Sequence, residues 1–283
     1  MAQIKITGDS TIDLSPELLA KYQVETVPLY INMGDKSFQD GVSVAPEDIY
    51  SYFAQTKTVP KTAAPSVQDY IDFFKKQRES HDAVIHFNIS AEFSSAYQNA
   101  CIAAQEVGNV YPIDSRNLST GTALLVLDAC DMAAAGKSAE EIVEAVKEET
   151  GRVEASFIIN TLTYLHKGGR CSGVAALGAN VLKLRPCILV EDGKMIVGKK
   201  YRGVYNKCMA SYIRDKLSGR DDILTNRIFI THTKCDKDCI DAAYRAVRES
   251  MQFDEILETT AGCTITNHCG EGTLGVLFVR RKK

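Results

Sequence analysis

His268 lies in TNHCGEGTLG (266–275), followed by Gly270, Gly272 and Gly275. A glycine-rich turn lets backbone approach a ligand closely, beside an imidazole that donates or accepts a hydrogen bond. ISAEFSSAYQNA (89–100) places Ser90, Ser94 and Ser95 where the apolar run VIHFNI (84–89) gives way to helical spacing from Phe93. Thr62 lies in the Pro-bounded loop VPKTAAPS (59–66), and Arg170 follows two glycines in HKGGRCSG (166–173). A helix N-terminus at the carboxyl end of a parallel strand offers free N–H groups and a positive dipole, so the guest it favours is an anion. Ser90 and Ser95 read first as turn and cap residues, because Ser95-x-x-Gln98 matches a capping box. Ser94 becomes a binding residue if the other stretches converge on it.

Competing chemistries are weaker. Cys269 beside His268 could serve a thiol- or His-dependent acyl hydrolase or transferase, but sequence neighbours on extended chain point apart. Cys269 therefore reads as a small buried residue. Cys235-x3-Cys239 with His232 nearby lacks a second ligand pair, so no metal is expected. The chain has no GxGxxG opening a helix after a strand, no GxxxxGK[ST] and no GxSxG. Neither a nucleotide-dependent nor a serine-hydrolase activity is supported, and no cofactor is expected. Arg170 and Arg202 have an ordinary reading as surface or interdomain ion pairs.

These residues need elements to position them. IKITGD (4–9), VETVPLYIN (24–32), VIHFNI and VYPID (110–114) read as strands. Between them, helices open at Ser15-Pro16-Glu17, at Pro46-Glu47-Asp48 and at the capping box Ser66-x-x-Asp69. A long apolar helix follows around GTALLVLDACDMAAAG, and a polar one over 139–150 stops at Gly151. SFIIN (156–160) restarts the pattern, followed by a short helix in TLTYLHKGG. CILVEDGKMIVGKKY (187–201) reads as a hairpin turning at Asp192-Gly193. A further helix, RIFITHT (227–233), a helix over 236–250 and a strand around GVLFV complete the chain. The expected fold is α/β with two domains, 1–152 and 153–283. The first has a mostly parallel, Rossmann-like sheet flanked by helices and the second a mixed sheet with helices.

Composition is that of an ordinary globular protein: 283 residues, 45% apolar, 24% charged, net charge −3. That balance gives no support to general nucleic-acid binding, and RRKK (280–283) reads as a solvated tail. No apolar run reaches the about 18 residues that span a bilayer. MAQIKITGDS reads as a strand rather than a signal peptide. With nine scattered cysteines, a reduced cytoplasm is the expected compartment.

Eight motifs, in order, resemble those of the DegV family of bacterial two-domain fatty-acid-binding proteins. They are GDSTIDL (8–14), VPLYI (27–31), VPKTAAPS, ISAEFSSAYQNA, IDSRNLSTGTA (113–123), YLHKGGRCS (164–172), LKLRPCILVEDGK (182–194) and HCGEGTLG (268–275). The resemblance implies a protein that is not itself an enzyme. It implies one long-chain fatty acid in an apolar tunnel between or beside the two domains, its carboxylate bound by Thr62, Ser94 and His268. It further implies a partner, a separate ATP-dependent fatty acid kinase that forms an acyl-phosphate for phospholipid synthesis. Ser95, Arg170, Arg202 and Gly270 would then belong to the pocket rim or the partner surface. A carrier or regulatory protein for another small apolar acid is the alternative.

The chain departs from the family pattern at several points. Ala63 stands where a Ser is usual, followed by Ala64. Ser95-Ala96 replaces Gly-Thr, and Arg185 replaces Lys. Glu271 replaces a Pro beside the expected carboxylate site. If Glu271 points inward it raises the pKa of His268 and repels an anionic head.

Overall fold

A computed structural model describes residues 3–171, 173 and 184–282. Ser172 of the YLHKGGRCS motif, Leu182 and Lys183 of LKLRPC, and Lys283 lie outside the described residues.

Four strands form the first sheet: β1 (Ile4–Asp9), β2 (Glu25–Val27), β6 (Ala83–Asn88) and β7 (Val110–Asp114), in the order β2-β1-β6-β7, all parallel. β6 is buried at every position, as expected of a central parallel strand covered on both faces. Helices α1 (Pro16–Tyr22), α3 (Val67–Arg78), α4 (Ala96–Val107), α5 (Thr120–Ala134) and α6 (Ala139–Thr150) accompany it. Their starts follow the expected chemistry. Ser15 Oγ accepts from Leu18 N at 3.3 Å with Pro16 at the first position. Ser66 and Asp69 form the reciprocal capping box.

The expected strand over 24–32 divides at Pro28. Its first part is β2; its second is β3 (Tyr30–Met33), which leaves the parallel sheet. β3 pairs antiparallel with β4 (Lys36–Gln39) and β5 (Lys61–Ala63) in a small third sheet. The loop expected around Thr62 is thus an edge strand, with Thr62 opposite Ile31. Proline has no N–H to give a ladder, and the run on either side of Pro28 serves two different sheets. Helix α2 (Pro46–Thr56) follows β4.

After residue 152 the strands build a six-stranded mixed sheet. They are β8 (Val153–Ile158), β9 (Leu184–Glu191), β10 (Lys194–Arg202), β11 (Ile223–His232), β12 (Glu255–Thr260) and β13 (Leu274–Arg280), ordered β10-β9-β8-β13-β11-β12. Only β11 and β12 run parallel. Helices α7 (Thr163–Gly168), α8 (Tyr205–Leu217), α9 (Lys237–Ser250) and α10 (Cys263–Cys269) complete the described residues. The β9–β10 hairpin turns at Asp192 and Gly193, both at positive φ, as an Asp-Gly turn requires. One apolar core extends from Val84 and Phe87 of the first sheet through Leu124 of α5 to Phe157 and Leu277 of the second.

Residues 280–282 of the RRKK end are not a free tail. Arg280 closes β13 and donates to Gly151 O, Arg281 Nε donates to Ile223 O at 2.9 Å, and Lys282 pairs with Glu148. Among the described residues no helix is long and apolar enough to cross a membrane.

Candidate functional site

Residues 10–13 open the site without entering it. The Asp9 carboxylate accepts from Tyr70 Oη at 2.6 Å and from Ile89 N at 3.0 Å, fixing the end of β6 from which the serine loop departs. Asp13 accepts from Gly262 N at 2.9 Å. Ser10 Oγ donates to Asp40, and Asp40 accepts from Cys263 N at 2.8 Å and Thr264 N at 3.1 Å. Two acidic side chains thus satisfy three of the free N–H groups at the start of α10, the helix that carries His268. The GDSTIDL motif acts as a mount for that helix.

The stretch holding Thr62 is clamped at both ends. Asn267 Nδ2 donates to Pro60 O at 2.9 Å, and Asn99 Nδ2 donates to Pro65 O at 2.7 Å. Between these clamps Thr62 Oγ1 lies 3.0 Å from His268 Nε2. His268 is therefore not in a glycine loop, as its sequence context suggested. It occupies the last turn of α10, and Gly270 (φ 73°) follows as the residue that ends the helix. A Cβ on Gly270 would come within 2.4 Å of the Tyr164 ring, so its role is close packing, and it is absent from the cavity lining.

The other ring nitrogen, His268 Nδ1, is buried without a hydrogen-bond partner among the described residues. It faces Gly168 so closely that a Cβ there would lie 2.4 Å away. A buried N–H without an acceptor costs more than a buried lone pair with the proton carried elsewhere. This arrangement favours the tautomer with its hydrogen on Nε2, beside Thr62. Burial, and secondarily the Arg170 cation, push the imidazole down from its usual value to about 4. The ring is neutral near pH 7.

Ser94 Oγ accepts from Ala96 N at 3.2 Å. The expected Ser95–Gln98 capping box does not form: Ser95 is the N-cap by backbone position but its side chain accepts no cap hydrogen bond. Its ψ of 4° departs from the extended conformation in which an N-cap hydroxyl meets the N3 N–H. Ser90 has a structural role, donating to Gly193 O at 2.8 Å across to the hairpin turn.

Thr62, Ser94, Ser95, Arg170 and His268 line one cavity of about 290 Å³. Leu29, Ile89, Phe93, Leu118, Met195 and Ile265 supply its apolar wall, and Ala63 and Ala64 add to it. Residues from both sides of position 152 contribute. Leu118, Ile265 and Cys269 continue into a smaller space of about 30 Å³ that reaches Phe157 and Leu277. On the other side of the Thr62–His268 pair, Lys61, Lys167 and Arg170 line an open recess of about 410 Å³. Cys269 is buried and its thiol is pushed up to about 12 by burial, which disfavours the nucleophilic thiolate at neutral pH.

Arg202 is not brought to the cavity; it stands exposed at the end of β10. Arg185 donates to Asn160 O at 2.6 Å. Glu271 points outward, half exposed, 3.8 Å from Lys234 Nζ, and does not line the cavity. Sequence reasoning missed Thr264, which lines the cavity one helical turn before His268; the T-x3-H spacing was the available signal.

Residues 3–281 match the family model described as "Uncharacterised protein, DegV family COG1307". A DegV domain-containing protein of Caldanaerobacter subterraneus subsp. tengcongensis is 32% identical over 281 residues, covering 98% of this chain and 99% of that protein. A Thermus thermophilus structure reported as fatty acid binding of a DegV family protein superposes with a TM-score of 0.87 at 27% identity, covering 98% of this chain and 99% of that one. A stearic acid-binding protein from Eubacterium ventriosum superposes with a TM-score of 0.83 at 26% identity, covering 98% of each chain. The chain described here belongs to the DegV family.

Proposed function

We propose that this protein binds one long-chain fatty acid with its hydrocarbon in the 290 Å³ cavity and its carboxylate on Thr62, Ser94 and His268. The observation that carries this reading is the Thr62 Oγ1–His268 Nε2 pair, 3.0 Å apart, at one end of a largely apolar chamber. Burying ~15 methylenes at about 0.8 kcal/mol each contributes roughly 12 kcal/mol before ordering costs. A bare buried carboxylate would cost several kcal/mol, so its oxygens need donors. Two hydroxyls and a neutral imidazole N–H supply them. Fatty acid binding by the DegV family protein of Thermus thermophilus and stearic acid binding by the Eubacterium ventriosum protein support the assignment.

On this reading the protein is a substrate-presenting subunit rather than an enzyme. A separate ATP-dependent kinase would phosphorylate the acid for phospholipid synthesis, in the cytoplasm. Hydroxyl donors suit that role, because they hold a carboxylate without neutralising the oxygen that must attack phosphorus. Arg170 would stand at the rim, where the basic recess lies against the Thr62–His268 pair. Arg202, exposed on an edge strand, would meet the partner. On this reading 1–152 and 153–283 are the two domains, with the ligand between or beside them.

The test is organic extraction of the denatured purified protein followed by mass spectrometry. A single stoichiometric C14–C18 fatty acid is expected. A different bound acid would favour the carrier alternative, and loss of kinase turnover with Arg202→Ala at intact fatty acid binding would place the partner surface.

A further inference from the structure

Two walls of the cavity meet at a seam. Phe93, Ser94 and Ser95 come from the loop after β6, and Met195 comes from β10. The seam is fastened at the tip of the β9–β10 hairpin. Ser90 Oγ donates to Gly193 O at 2.8 Å, and both residues are buried. Arg116 Nη2 lies 3.1 Å from Asp192 Oδ1, and Lys194 Nζ lies 3.5 Å from Glu92 Oε2. Consecutive hairpin residues, Asp192 to Lys194, thus grip the serine loop and its neighbour Arg116, and Met195 is the next residue along. A Cβ on Gly193 would come within 2.7 Å of Ser90 Oγ, so glycine lets the tip close this far.

These fastenings are individually weak. The side chains of both ion pairs are about half exposed or more, and water and salt compete for such pairs. One buried hydrogen bond adds a modest net amount. The strand behind the tip lends little support. β10 is an edge strand of the sheet, paired with β9 alone, and the pairing slips between Val197 and Lys200. β9 is better anchored, with Ile188 and Val190 in the apolar core. Lifting the tip therefore costs little and parts Met195 from Phe93 and Ser94, while the sheet beneath stays in place.

We infer that the Asp192–Lys194 tip is a latch, fastened on Ser90, Glu92 and Arg116, that gates entry of the fatty acid into the cavity and its release. The inference rests on the fatty acid reading and goes beyond it. The latch contacts join protein to protein and are made whether the cavity is empty or full. Loosening them raises the open population of both forms, so association and dissociation quicken by the same factor and Kd stays constant. Loss of a contact to the ligand acts chiefly on dissociation.

The test uses the full-length, delipidated protein and cis-parinaric acid, a fluorescent long-chain acid, in stopped flow. Uptake gives the association rate, and displacement by excess hexadecanoic acid gives the dissociation rate. Ser90→Ala should raise both about ten-fold. Asp192→Asn with Lys194→Gln removes both ion pairs, alters no residue of the cavity lining, and should raise both about three-fold. Unchanged rates in both proteins overturn the inference and leave the fatty acid reading standing. Faster dissociation at unchanged association would make the tip a ligand-holding element, which also overturns it. Hydrogen exchange of the empty proteins reads the latch without ligand: backbone amides around Met195 should exchange faster in both variants. If the wild type binds no fatty acid, the fatty acid reading and the gating of that ligand both fall.

Discussion

Thr62 and His268 stand 206 positions apart in the chain, yet Thr62 Oγ1 and His268 Nε2 meet at 3.0 Å. The pair closes an edge strand of the small third sheet against a short helix that follows β12 of the mixed sheet. If it binds a carboxylate, deleting either partner should weaken fatty acid binding while the fold persists. Thr62→Val and Ser94→Ala each remove one neutral donor and should cost about 1–1.5 kcal/mol, roughly ten-fold in Kd. His268→Ala also opens space and should cost more. Competition with a fluorescent fatty acid measures all three, and unchanged affinities would remove these residues from the head-group site.

Gly168 matters through the ring it touches. A Cβ there would lie 2.4 Å from His268 Nδ1, and imidazole and helix cannot both stay in place. Gly168→Ala should therefore reduce fatty acid affinity about as much as His268→Ala, with a small loss in melting temperature. A variant that binds normally would show that the imidazole moves freely, contrary to its buried, clamped position.

How the site reads from sequence depends on the range of the interaction. Local signals held: the caps at Ser15 and Ser66, the Asp192-Gly193 hairpin and the stop at Gly151 all depend on residues within a few positions of one another. Thr62, Ser94 and His268 could be brought together only through the family resemblance, since nothing local joins residues 206 positions apart. Among the readings that failed for lack of tertiary context are the Ser95 capping box and the single strand over 24–32, and the orientation of Glu271 stood open. Ser95 lies in the wrong backbone conformation for its capping box. The run 24–32 supplies two sheets rather than one strand. Glu271 could have faced either way, and only packing turns it toward Lys234. The mounting role of Asp13 and Asp40 was equally hidden, because their targets at 262–264 lie more than 200 positions away.

The neutral state of His268 gives an acid-side signature. Its ordinary value is 6.5 and burial lowers it to about 4. Between those values the unfolded chain takes up a proton that the folded one refuses, so stability falls as pH drops from about 6.5 to about 4. At pH 5 the loss should reach about 2 kcal/mol. Urea denaturation of the wild type and of His268→Gln at pH 7 and pH 5 would read it: the wild type should lose about 2 kcal/mol relative to the variant, whatever other groups titrate in that range. A bound carboxylate favours the imidazolium, so loaded protein should lose less than empty protein over the same range.

Cys269 separates binding from thiol catalysis. With its thiol pushed up to about 12 and the side chain buried, it should resist iodoacetamide at pH 7.5 in the native state. Cys269→Ala should keep fatty acid binding within a few-fold. Rapid native-state alkylation, or acyl ester hydrolysis lost on that substitution, would restore the hydrolase reading.

Asp13 should act on the opposite limb. Burial raises its carboxyl to about 8, against hydrogen bonds from Ser119 and Gly262 that favour the charged form. A folded value above the unfolded 3.8 means the native state holds a proton that the unfolded chain has released. The associated stability is full below 3.8, declines as pH rises and is gone above about 8. Asp13→Asn keeps an acceptor for Gly262 N while removing the titration. Its stability should therefore change less between pH 5 and pH 9 than that of the wild type, with α10 still mounted and fatty acid affinity at pH 7 within a few-fold. Parallel stability curves for the two proteins across that range would mean that Asp13 is charged in the native state, its two hydrogen bonds outweighing burial.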